Sequence, residues 1–131
     1  MTIPPFVIAD MLAHARQEAP RECCGLLVGN GDAVTRNVRA RNLDERTTRY
    51  LVDPADHFTA IREARSEGAE VIGAYHSHPT TDPVPSPSDI AEAYSASEFV
   101  YVIVSLVKEE VRAYRSGVGA FTPCPLTVTA D

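Results

Sequence analysis

Residues 76–89 read His-Ser-His-Pro-Thr-Thr-Asp-Pro-Val-Pro-Ser-Pro-Ser-Asp. Two imidazoles stand two positions apart, and a carboxylate follows the second by eleven. Two histidines and one carboxylate form a three-ligand set that leaves one place of a tetrahedral ion open for water. An open place is the mark of a catalytic ion, so His76, His78 and Asp89 point to metal-assisted chemistry. Side chains alternate across a strand, so His76 and His78 project together if a strand runs through them. The segment Ser86-Pro87-Ser88-Asp89 has a second reading. Serine as cap, proline at the first helical position and an acid at the third make a capping box that needs no metal. The two readings agree, because a capped helix start is a rigid mount for a ligand.

An ion that activates water still needs a group to carry a proton to the leaving amine. Spacing alone cannot choose among the glutamates. Glu22 stands out locally: it follows Pro20-Arg21 and enters an apolar run, where a carboxylate is costly without a partner. The plainer alternative is an exposed acid at a strand start. His14 and His57 fall on expected helix surfaces and are read as solvated, with no role.

The elements that must hold these residues follow from periodicity and punctuation. Phe6-Val7-Ile8 reads as a short strand. A helix follows from Ala9 or Asp10 to about Ala19, with Ile8, Leu12, Ala15 and Ala19 at helical spacing and Pro20 as its stop. Cys24–Gly29 reads as a buried strand, Asn30-Gly31-Asp32 as a turn, and Val34–Arg41 as the return strand. Arg49–Val52 reads as another strand. Asp53-Pro54 caps and opens a helix whose inner stripe is Phe58, Ile61 and Ala64, with Gly68 at its end. Glu70–Tyr75 reads as a strand that the histidines extend. The prolines at 79, 83, 85 and 87 keep that loop out of any sheet. A helix from Pro87 to Ser97, strands Phe99–Leu106 and Glu110–Tyr114, and a β-prone edge over 120–129 complete the order. The expectation is an α/β (α+β) chain, a mixed sheet flanked by helices, in one domain over 1–131.

Composition agrees with a folded chain: 131 residues, 44% hydrophobic and 23% charged. A net charge of −6 without a basic stripe argues against nucleic acid as a partner. The N-terminus lacks the charged and apolar regions of a signal peptide, and no apolar run approaches the ~20 residues that span a bilayer. The expectation is a cytoplasmic protein without a membrane partner. Cys23, Cys24 and Cys124 contain no C-x-x-C pair, which excludes a cysteine zinc knuckle. They read as reduced, partly buried thiols, with a redox role for Cys23 as the alternative.

Taken together, Glu22-Cys23-Cys24-Gly25-Leu26-Leu27-Val28-Gly29, His76-Ser77-His78-Pro79 and Ser86-Pro87-Ser88-Asp89 resemble the JAMM (MPN+, JAB1/MPN/Mov34) metallopeptidases. The pattern is a glutamate, then H-x-H, seven residues, then S-x-x-D, and every position is filled. The likeness extends to Tyr50-Leu51-Val52-Asp53-Pro54 and to Tyr101–Leu106. The resemblance implies that His76, His78 and Asp89 bind Zn²⁺, that Glu22 is general base and then acid, and that Ser86 stabilises an oxyanion. It implies a curved, cytidine-deaminase-like JAB1/MPN fold. It also implies hydrolysis after the C-terminal Gly-Gly of a small ubiquitin-like or sulfur-carrier protein, freeing a cysteine, a short peptide or a lysine. The oligomeric state stays open, a homodimer included.

Two rival readings use the same residues. Two histidines and a carboxylate also describe a non-haem Fe(II) enzyme. Relatives lacking metal ligands serve as interaction scaffolds, whereas here all the ligands are present. A nucleobase deaminase is excluded, because Pro123-Cys124 is followed by no second cysteine.

Overall fold

The computed structural model describes residues 1–92, 99–117 and 119–130. Its elements are β1 (Thr2–Ile3), α1 (Pro5–Glu18), β2 (Cys24–Asn30), β3 (Ala33–Ala40), α2 (Pro54–Ser66), β4 (Glu70–His78), α3 (Pro87–Glu92), β5 (Val100–Ser105), β6 (Glu110–Gly117), β7 (Ala120–Cys124) and β8 (Thr127–Val128). One eight-stranded sheet runs in the order β7-β6-β5-β4-β2-β3-β1-β8. It is mixed, with β4 parallel to β5 and antiparallel to β2. The expected mixed sheet with flanking helices is therefore present.

Register divides the sheet into two faces. Cys24 pairs with His76 and Leu26 with Ala74, while Ala74, His76 and His78 pair with Tyr101, Ile103 and Ser105. By alternation these residues share a face. On it, Ala60 of α2 packs with Leu26, Ala74 and Tyr101. The opposite face carries Leu27, Tyr75, Val100, Val102 and Val104, packed on Val7, Met11 and Ala15 of α1. Gly25 makes that packing work, because a Cβ there would collide with the Tyr75 ring.

Several sequence expectations need correction. Phe6-Val7-Ile8 is not a strand. Pro5 stands at the first position of α1, where its missing N–H costs nothing, so the helix begins before Phe6. Arg49–Val52 forms only an isolated bridge, Asn42 to Val52, since the chain there turns back on itself. The inner stripe of α2 is Ala60 and Ala64, and Phe58 is 70% exposed. Small residues let α2 lie close to the sheet, whereas Phe58 falls on the far side of the helical wheel. His14 is buried, with Nδ1 2.8 Å from the Tyr75 hydroxyl. The 120–129 segment forms both outer edges, β7 beside β6 and β8 beside β1. Pro123 is tolerated at such an edge. Of the expected helix 87–97, residues 93–97 lie outside the described residues. No described helix is long and apolar enough to cross a membrane.

Candidate metal centre

Strand β4 runs through both histidines, so their side chains emerge on one face at its C-terminal end. The loop after it returns the chain to α3. There Ser86 Oγ accepts from the Asp89 N–H (3.1 Å), while the Ser86 N–H donates to Asp89 Oδ2 (2.9 Å). This reciprocal pair is the expected capping box, and it fixes the Asp89 carboxylate. His76 Nε2 lies 3.1 Å and His78 Nε2 3.0 Å from Asp89 Oδ2, and the two nitrogens are 3.2 Å apart. The three atoms form a nearly equilateral triangle. A tetrahedral ion with bonds of ~2.0–2.1 Å spaces its ligands by roughly 3.3 Å, so the triangle has the right dimensions. All three residues are buried, and they are the one such cluster among the described residues.

The electrostatics point the same way at Asp89 and His76, while His78 must shed a proton to ligate a cation. Burial alone would raise the Asp89 carboxyl, but its hydrogen bonds with His76 and His78 outweigh burial and hold it well below the ordinary carboxylate range. Burial pushes His76 down, toward the neutral imidazole that ligates metals. Burial would also lower His78, but its contacts with Asp89 and the Asp82 carbonyl carry it above the ordinary value. Two nitrogen lone pairs and an anionic oxygen in one dry corner fit a divalent cation.

The two rings are oriented by different means. His78 Nδ1 lies 2.9 Å from the Asp82 carbonyl and donates to it, which leaves the Nε2 lone pair for the centre. His76 Nδ1 is buried without a hydrogen-bond partner. Its ring is instead stacked against Tyr50, centroids 4.3 Å apart and planes 17° apart. Tyr50 was not singled out from the sequence for any role, because no local pattern tells a stacking tyrosine from an ordinary apolar one.

Glu22 is buried at 5% exposure, and its Oε1 has no partner. Its main chain is held beside the histidines: the Cys23 N–H donates to Ser77 Oγ (2.7 Å), and the Ser77 N–H donates to the Cys23 carbonyl (3.1 Å). Burial raises the Glu22 carboxyl to about 7, with the His78 charge opposing and the Asp89 charge adding to the rise. A carboxyl at that value can both take and give a proton near neutrality. The exposed-acid reading of Glu22 is thus set aside. Burial pushes the Cys23 and Cys24 thiols up to about 11 and about 12, which leaves neither a thiolate at neutral pH.

Comparison with known proteins agrees with this geometry. The family model described as prokaryotic homologs of the JAB domain matches residues 4–117. The desampylase of Haloferax volcanii is 39% identical over 107 residues, covering 73% of each chain. The CysO-cysteine peptidase of Mycobacterium tuberculosis is 32% identical over 133 residues, covering 98% of this chain and 90% of its own. The solution structure of a Desulfitobacterium hafniense protein superposes with a TM-score of 0.91 at 31% identity, covering 99% of this chain and 93% of that one. With its sheet, its buried His-His-Asp cluster and these relatives, the chain belongs to the prokaryotic JAB-domain family.

Proposed function

We propose that this protein is a zinc-dependent peptidase that hydrolyses the amide or isopeptide bond after the C-terminal Gly-Gly of a ubiquitin-like or sulfur-carrier protein. The observation that carries the reading is the triangle of His76, His78 and Asp89 beside a buried, unpaired Glu22. The names of the relatives, a desampylase and a CysO-cysteine peptidase, support the substrate class.

In this reading His76, His78 and Asp89 hold the zinc, which supplies a Lewis acid and an acidified water. Glu22 takes the proton of the attacking water and then delivers it to the departing amine. Its burial and its unpartnered Oε1 suit that transfer. Ser86, at the cap of α3, donates its hydroxyl to the oxyanion of the tetrahedral intermediate. A cavity of about 320 Å³ on the same sheet face, lined by Leu26, Tyr50, Leu51, Ala74 and Tyr101 among others, offers room for an extended tail. Gly-Gly is thin enough to reach a recessed centre.

The test is incubation of zinc-loaded protein with small Gly-Gly carriers extended by cysteine or joined to lysine, read by mass spectrometry. Loss of the extension is expected. Glu22→Gln should keep stoichiometric zinc and lose about 10²–10⁴ in rate. No cleavage of any carrier by zinc-loaded wild type would leave a scaffold as the better reading, and an active Glu22→Gln variant would remove Glu22 from the mechanism.

A further inference from the structure

The segment between β3 and α2 doubles back on itself beside the metal centre, and one side chain at its start organises it. Asn42 uses the full capacity of its amide. Oδ1 accepts from the N–H groups of Asp44 and Leu51, both at 2.9 Å. Nδ2 donates to the carbonyl of Glu22 at 2.9 Å and to that of Arg49 at 3.3 Å. Two acceptors and two donors as partners fix which end of the amide is oxygen. The bonds to Leu51 and Arg49 bracket Tyr50, whose ring covers His76. The bond to Glu22 reaches the main chain of the residue that carries the unpaired buried carboxyl. Arg21 adds to the tie, donating to the carbonyls of Asn42 (2.9 Å) and Asp44.

His76 needs this support from outside its own strand. Its polar contacts are all at Nε2, toward Asp89 and His78, and its Nδ1 has no hydrogen-bond partner, whereas the Asp82 carbonyl fixes the Nδ1 side of His78. Away from Nε2, the His76 ring rests on Tyr50, and Tyr50 is placed by the turn that Asn42 closes. The same amide holds the Glu22 main chain.

We propose that Asn42 is a positioning residue for the reaction. It couples Glu22, which moves the proton, to the Tyr50 ring that orients His76. Its kinetic consequence rests on the peptidase reading above, but its geometric consequence does not.

The experiment compares wild type with Asn42→Ala, which removes all four bonds, and Asn42→Asp, which keeps the two accepted bonds and loses the two donated ones. In the metal-free protein, proton–carbon NMR reads the His76 ring protons, which the stacked Tyr50 ring shifts upfield. That shift should collapse toward free-histidine values in Asn42→Ala, with the His14 and His57 signals unmoved. Tyr50→Leu gives the reference position for an unstacked ring. In zinc-loaded protein, kcat should fall at least tenfold in both variants, with KM and zinc stoichiometry within about twofold of wild type. A His76 shift that persists in Asn42→Ala overturns the proposal. So does a kcat loss that zinc depletion or unfolding accounts for in full. If wild type cleaves nothing, the peptidase reading falls, and the NMR comparison alone decides whether Asn42 positions His76.

Discussion

In the proposed reaction Ser86 carries two tasks that separate by magnitude. As the cap of α3 its Oγ accepts from the Asp89 N–H, and losing such a cap costs about 1 kcal/mol. As an oxyanion donor its loss would cost about 10²–10³ in rate, which corresponds to about 3–4 kcal/mol in the transition state. Ser86→Ala is therefore expected to lower stability by about 1 kcal/mol in denaturant titration, while kcat falls by two to three orders of magnitude. A rate loss under tenfold would leave Ser86 as a cap alone. The cap also bears on the centre, because the Ser86 N–H is bonded to the same Asp89 oxygen that faces both histidines. Some loss of metal affinity should accompany the variant, and zinc titration separates that from the loss of turnover.

At the scale of elements, α2 sets how closely a helix can cover the face that bears the histidines. Ala60 and Ala64 are fully buried, and Ala60 packs directly on Leu26, Ala74 and Tyr101. Added methylenes in such a contact force backbone or rotamer shifts that cost about 1–3 kcal/mol. Ala60→Leu is expected to destabilise by that amount, whereas Phe58→Ala, on the exposed side, should stay within about 0.5 kcal/mol. Thermal or denaturant unfolding of the pair checks this, and a large effect at Phe58 would indicate a packed role that the monomer does not show. The helix start itself was readable, since Asp53 accepts from the Ala55 N–H and Pro54 follows it. Which face turns inward was less so. A stripe of alanines is quiet in a hydrophobic pattern, and Phe58 is loud.

For the whole molecule, the centre joins parts distant in sequence: the end of β4, the start of α3, the entry to β2 and the turn between β3 and α2. An ion bound there would tie the end of β4 to the start of α3 in the folded state, and the unfolded chain offers no such preformed site. Zinc should therefore raise stability by RT ln(1 + [L]/Kd), about 2.7 kcal/mol at a free concentration one hundred times Kd. Calorimetry of chelator-treated protein with and without added zinc measures the shift. Asp89→Ala should abolish it, and a shift that survived Asp89→Ala would place the zinc elsewhere.

The sequence by itself determined that His76 and His78, at i and i+2 on a strand, share a face, and that Asp89 stands in a capped helix start at Ser86-Pro87-Ser88-Asp89, which made the three candidate ligands. Both are local rules of backbone geometry, and local rules survive folding. The hairpin, α2 and the strands at 70–78 and 100–105 followed for the same reason. Tertiary structure alone decided that Glu22 is buried and unpaired, that His14 lies under the sheet against Tyr75, that Tyr50 stacks on His76 and that Asn42 closes the turn above them. Each of these joins groups twenty or more residues apart or depends on which side of an element is covered. Burial and long-range pairing are properties of the packed chain, and no short stretch of residues encodes them.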